Sequence, residues 1–217
     1  DDLSDGIAEY TTLYNVFLGD LTGASTTTGT KNVALGYNAF ATNLQKSENT
    51  AIGFEAMRYA NSAASAGTTN NTALGAYALR GSTTAASNTG TGNTVLGHSG
   101  LYSNTVGAGN VAIGVNTLYT NTGGSQSTAI GYEAMRYANS VSAATTTYNT
   151  AVGANALRGS TTSSGNTGTG NTVLGHSGLY SNTSGSSNVA IGVNALYTNV
   201  AANENTAVGF GAIRYAN

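Results

Sequence analysis

Four arginines occupy equivalent places in a 217-residue chain that holds only seven lysines and arginines: Arg58, Arg80, Arg136 and Arg158. Tyr59 and Tyr137 directly follow two of them, and Tyr148 lies further along a polar loop. A guanidinium beside an aromatic ring can hold a carboxylate or a sugar, the fork donating hydrogen bonds and the ring offering a flat apolar face. The same groups can also satisfy one another by stacking. Both readings stand for these seven residues as candidate ligand contacts, and internal packing is the more economical. His98 and His176 are equivalent copies with no cysteine or carboxylate cluster beside them, whereas a metal site needs three or four convergent ligands. No nucleophile has a recognisable base. Gly90-Thr91-Gly92 lacks the following helix that phosphate binding requires. The expectation is a non-enzyme with no metal and no cofactor.

The elements that position these residues are set by a repeat. Asparagine, then Thr or Val, usually Ala, then Ile, Leu or Val, then glycine recurs with its glycine at Gly19, Gly36, Gly53, Gly75, Gly97, Gly114, Gly131, Gly153, Gly175, Gly192 and Gly209. The gaps run 17, 17, 22, 22 and then start again, so the chain is also a duplicated array. Residues 54–131 and 132–209 differ mainly at 63–70, 85–87, 106–109 and 122–127, which read as loops. Five places after the glycine stand Ala41, Arg58, Arg80, Tyr102, Tyr119, Arg136, Arg158, Tyr180, Tyr197 and Arg214. Arginine accompanies the 22-residue spacing and tyrosine the 17-residue spacing. This coupling suggests arginines that hydrogen-bond across the longer loops and tyrosines that cover the shorter ones.

With the glycine as position zero, position −1 is always a branched aliphatic and −3 always Thr or Val, as suits a short strand. Alternation puts −1 and −3 on one face and the small −2 residue on the other. The glycine marks a turn that a Cβ would obstruct. A second short strand is expected beyond it, with a small residue at +3 and a large apolar one at +4. These features predict an all-β chain, a parallel β-solenoid or β-roll of about eleven coils. Stacked at about 4.8 Å, they make a rod of roughly 50 Å. Asparagine at −4 (Asn15, Asn32, Asn49, Asn71, Asn93, Asn110, Asn149, Asn171, Asn188, Asn205, with Ser127 the exception) would form an amide ladder from coil to coil.

Composition narrows the function. There is no cysteine, proline or tryptophan, 7% of residues are charged, and the net charge is −2. That is no basic surface for nucleic acid, and no apolar run is long enough to span a membrane. Each coil contributes few large apolar side chains, while the −1/−3 face presents an aliphatic ladder that needs a cover. Three chains around an axis would supply it, with Ile52, Ile113, Ile130 and Ile191 as the trimer core. A threonine ladder at −3 could also suit ice, but Val16, Val33, Val111 and Val189 interrupt it.

The runs N-T-A-I-G-F-E-A-M (49–57), N-T-V-L-G-H-S-G-L (93–101) and N-V-A-I-G-V-N-T-L (110–118) resemble the head repeats of trimeric autotransporter adhesins. They are also similar to repeats of bacterial surface-anchored fibres of the mosaic adhesive trimer type, and to those of some phage tail fibres. The resemblance covers residues 15–217. It implies a left-handed parallel β-roll in a homotrimer, an extracellular place on the bacterial surface or on a virion tail, and adhesion, with cell-surface glycans as possible partners. Residues 1–14 lack the repeat and are expected to cap the first coil or join a preceding domain. Residues 15–217 form the solenoid, which stops within a repeat and is expected to continue. Ligand contacts, if any, are expected from the long loops at 61–70, 82–92, 139–148 and 160–170.

Overall fold

The computed structural model describes residues 14–60, 66–83, 88–137, 144–161 and 166–215. All but the last residue of the expected cap or junction at 1–14, and parts of all four long loops, lie outside them.

Eleven three-residue strands, the first Val16–Leu18 and the last Thr206–Val208, form one parallel sheet in sequence order. Each pairs with the next in the register that the repeat demands: Thr94↔Val111, Val95↔Ala112, Leu96↔Ile113. The register is the same across a 22-residue gap (Thr50↔Thr72, Ala51↔Ala73, Ile52↔Leu74), so the additional residues leave the sheet undisturbed and fall in the loops. Two small parallel pairs, Lys46–Ser47 with Gly67–Thr68 and Gly124–Ser125 with Thr145–Thr146, lie on the loop side. The all-β parallel solenoid expected from the repeat is the architecture observed.

The second short strand is not there. Residues +2 and +4 instead take left-handed backbone in every coil, as at Asn116 (φ 56°) and Leu118 (φ 49°), and so does −5, as at Gln126 (φ 59°). Alternating hand coils the chain tightly after the glycine, and the carbonyl of Gly53, for example, accepts a turn bond from the Ala56 amide. The amides then bond alternately to the coil behind and the coil ahead: Glu55 N–H to Tyr37 O, Met57 N–H to Ala78 O. A bulky residue in this region costs about 1–2 kcal/mol. Inter-coil hydrogen bonds and burial of the +4 side chain offset it.

The core lies inside the coil, between the −2 residue and the +3/+4 turn. Ala51, Ala56 and Met57 are fully buried, as are Ala112 and Leu118. Volume is conserved within each coil by compensation. Where −2 is Val95 or Val173, +3 is Gly100 or Gly178, and a Cβ on either glycine would come within 2.7 Å of the valine Cγ1. In the first coil Phe17 takes −2 and Gly23 replaces the large +4 residue, the phenylalanine ring filling its place. Gly100→Ala is therefore expected to cost about 1–3 kcal/mol through overpacking. Adding Val95→Ala should recover most of that loss, because it recreates the Ala/Ala pair of other coils. Chemical denaturation of the double-mutant cycle checks this, and a double variant no better than the sum of the singles would contradict it.

The −4 asparagine ladder is observed. Asn110 accepts the Ser127 amide at Oδ1 (3.0 Å), and its Nδ2 donates to Asn93 Oδ1 (3.1 Å) and across the coil to the Gly124 carbonyl (2.8 Å). Ser127 interrupts the row and pairs its hydroxyl with Thr147 Oγ1. A second asparagine ladder, at +7, was not anticipated. Asn121 and Asn199 donate to Asn104 and Asn182 and to the carbonyls of Gly124 and Ala202. The recurring Asn-Thr pairs at 104–105, 121–122 and 182–183 were its sequence signal.

Candidate functional site

Two surfaces remain once the core is accounted for: the outer face of the sheet, and the corner where the arginines and tyrosines emerge.

The sheet face is aliphatic along the rod at −1, while at −3 it carries valine in four coils and threonine in seven. Val16, Leu18, Val33, Leu35, Leu74, Leu96, Leu174 and Val208 are exposed on it, with Ile52, Ile113 and Ile130 half-buried and Ile191 36% exposed. Position +1 adds a third row, which the sequence reading left out. Tyr37 stacks on Phe54 (5.5 Å between centroids); the next coil has Ala76 at +1, and its +2 residue Tyr77 bridges the gap, meeting Phe54 (5.2 Å) and His98 (5.6 Å) edge-on. Three rows over eleven coils make a face of roughly 50 by 13 Å, about 600 Å2, aliphatic along its middle row and mixed in character on either side.

The arginines sit at the opposite end of the turn. Glu55, buried at +2, pairs with Arg58 of its own coil and with Arg80 Nε of the next coil at 2.7 Å; Glu133 repeats this with Arg136 and with Arg158 Nε at 2.8 Å. The Arg80 guanidinium lies over Tyr59 (4.7 Å) and Tyr102 (5.3 Å), and Arg158 lies over Tyr137 (4.8 Å) and Tyr180 (5.3 Å). Tyr102 stacks in turn on Tyr119, and Tyr180 on Tyr197, both at 5.0 Å. The expected cation-π packing is present, but the arginine's hydrogen-bond partner is a glutamate. The long loop is instead clamped at its base by Asn88, which accepts the Ser82 amide and donates to the Ser82 and Tyr59 carbonyls; Asn166 does the same for Ser160 and Tyr137. Both glutamates were overlooked in the sequence. E-A-M-R at 55–58 and 133–136 displays the i, i+3 pair, but the partner 25 residues on becomes visible only when coils stack.

Burial by itself opposes ionisation of Glu133. The hydrogen bond from Arg158 and the charges of Arg136 and Arg158 outweigh it and hold the carboxyl below its ordinary value. Because the folded value is depressed, the stability it contributes is present above the unfolded value of about 4.3 and lost as pH falls through the folded value. The melting-temperature deficit of Glu133→Gln is therefore expected to be full at pH 7 and to shrink steadily below about pH 4.3. Calorimetry of both proteins from pH 7 to 2 checks it, and a deficit independent of pH would contradict it.

Beside each cluster opens a cleft, at the step where a 22-residue coil is followed by two 17-residue coils. The first, about 320 Å3, is lined by Arg80, Gly81, Ser82 and Thr83, by Tyr102, Ser103 and Thr105, and by Thr122. The second, about 370 Å3, has the same residue types at equivalent positions except for Val200 in place of Thr122. Gly81 is required at the floor, with φ +80° and the Ala60 amide nitrogen 2.9 Å from where a Cβ would be. The structure thus brings Arg58, Arg80 and Tyr59 into one cluster and Arg136, Arg158 and Tyr137 into its copy. Tyr148 is not brought to either. It is exposed immediately before Asn149, at the strand end of its loop.

Among the described residues no group of three His, Cys, Asp or Glu side chains could hold a metal, and no helix is long and apolar enough to cross a membrane. Compared with protein-family models, curated proteins and solved structures, the chain matches none of them.

Proposed function

We propose that the chain is a non-catalytic structural and adhesive segment of an extracellular fibre. Three copies pack their apolar sheet faces together, and the long loops point outward. The observation that carries this reading is the face itself: an unbroken row of branched aliphatic side chains at −1 in all eleven coils, left open by a chain whose own interior is filled. Contiguous exposed apolar surface marks sites of association, and burying this row between copies removes it from water at about 25 cal/mol per Å2. A rod with identical side chains in register also suits a fibre, because each added coil extends it without a new interface. The motif resemblance supports a fibre on a bacterial surface; a tail-fibre shaft is the alternative that the same resemblance supports.

Coating beads with the full chain and scoring retention on whole cells under flow tests the adhesive half. Retention that soluble chain competes away is the expected result. Beads that behave as uncoated ones would leave the segment a spacer and overturn the adhesive reading.

A further inference from the structure

The geometry points to a ligand for the paired clefts: we propose that each binds an acidic saccharide, its carboxylate on the Arg80 or Arg158 guanidinium and its hydroxyls against the serine and threonine walls. The proposal deepens the adhesive reading and rests on it for the source of the ligand.

Charge is the first reason. In each cluster two arginines share one glutamate, so a net positive charge is left at a corner of a protein whose overall charge is −2. Arg80 and Arg158 engage their glutamates through Nε, which leaves the two Nη groups as the donors for a planar anion, the geometry in which arginine pairs best with a carboxylate. Each guanidinium is held from both sides by tyrosine rings, so little freedom remains to be lost on binding.

The walls supply the second reason. Thr105 and Thr183 donate their hydroxyl protons to the carbonyls of Thr122 and Val200 (3.0 and 3.1 Å), so each hydroxyl oxygen is left as an acceptor for a sugar hydroxyl. Ser82 or Ser160 and Ser103 or Ser181 add further hydroxyls. The tyrosines present ring edges, since Arg80 and Tyr119 lie against the faces of Tyr102. Such a surface matches many hydroxyls and one carboxylate better than an apolar ligand. The volumes lie at the small end of the ~300–1,000 Å3 typical of ligand sites.

The third reason is repetition. Both clefts arise from the same step in coil length, and the divergence between the two halves of the array leaves their lining almost unchanged. Two sites on each of several associated chains would convert weak individual contacts into avidity.

The probe is a tetrasaccharide of alternating hexuronate and N-acetylhexosamine, titrated into the full chain by calorimetry beside its carboxyl-reduced counterpart. Saturable binding is expected, weakened about tenfold or more by carboxyl reduction, as loss of a charge-assisted hydrogen bond implies. Arg80→Gln with Arg158→Gln should produce the same drop. Ser103→Phe with Ser181→Phe fills both clefts without touching the ion pairs, and should abolish binding while the melting temperature is retained. If the arginine variant fails to fold, the phenylalanine pair decides. Equal affinity for the reduced tetrasaccharide, unchanged binding by the phenylalanine pair, or no binding by the wild type would each overturn the proposal. Sedimentation of the same samples separates the two ideas: an assembled rod that binds nothing removes the clefts and leaves the fibre, whereas a monomer that binds removes the assembly and leaves the clefts.

Discussion

Alanine in place of Gly114 is expected to destabilise the chain by about 3 kcal/mol or more, as at the other interior glycines of its column. Gly114 has φ +126°, a backbone conformation open to glycine alone, and its Cβ would stand 2.7 Å from the Gly131 carbonyl oxygen. Neither partner can yield. The Gly131 amide is bonded at 2.8 Å to the Ile113 carbonyl, and the Gly114 amide in turn to Leu96. Pushing one coil away would break the hydrogen-bond rows on both sides of the glycine column. Gly92→Gln is the control. Its φ is +65° and the nearest atoms to a Cβ are 3.9 Å away, while Gln126 and Tyr148 already occupy the equivalent place. A change within about 1 kcal/mol is expected there. Denaturant midpoints of the two variants check the pair, and similar losses for both would contradict this account of the column.

Ile113→Asp is expected to abolish assembly and leave a folded monomer. The side chain stands on the outer face, half-buried in a single chain and directly beside Leu96 and Ile130 in the neighbouring strands. The coil interior is untouched, so the cost to the lone chain is the low strand preference of aspartate, under about 1 kcal/mol. In an assembly the same carboxylate would be buried among apolar neighbours with no partner, which costs several kcal/mol per copy. Sedimentation of the variant beside its circular dichroism spectrum distinguishes the outcomes. A variant that still assembles would move the contact surface off this face, and one that unfolds would show that Ile113 belongs to the core.

Much of the fold was legible because it is built from periodicity. Glycine spacing alone located the eleven strands and their register, since only stacking at that spacing lines up Thr94 with Val111 and Leu96 with Ile113. The asparagine ladder was legible for the same reason: a polar residue recurring in the core of a glycine-rich coil must bond to its own copies. The left-handed positions were not. Glu55, Met57 and Tyr148 disfavour that backbone, so their types argue for strand or loop, and the turn is imposed by hydrogen bonds to the coils on either side. The +4 residues were consequently assigned to a second strand, although they are the largest side chains in the core. The arginine and tyrosine stripe was read from its spacing with loop length. Its glutamates escaped notice because Glu55 and Arg80 lie 25 residues apart and meet only through stacking. The clefts could not be read at all, because they depend on a longer coil meeting a shorter one in space.

The mass of the purified 217-residue chain in dilute solution, measured by sedimentation equilibrium, tests most directly whether the sheet face is an interface between copies. One chain is 21.6 kDa. The account predicts a single species of three times that mass, stable at micromolar concentration. A folded species of 21.6 kDa that persists as concentration rises would contradict it.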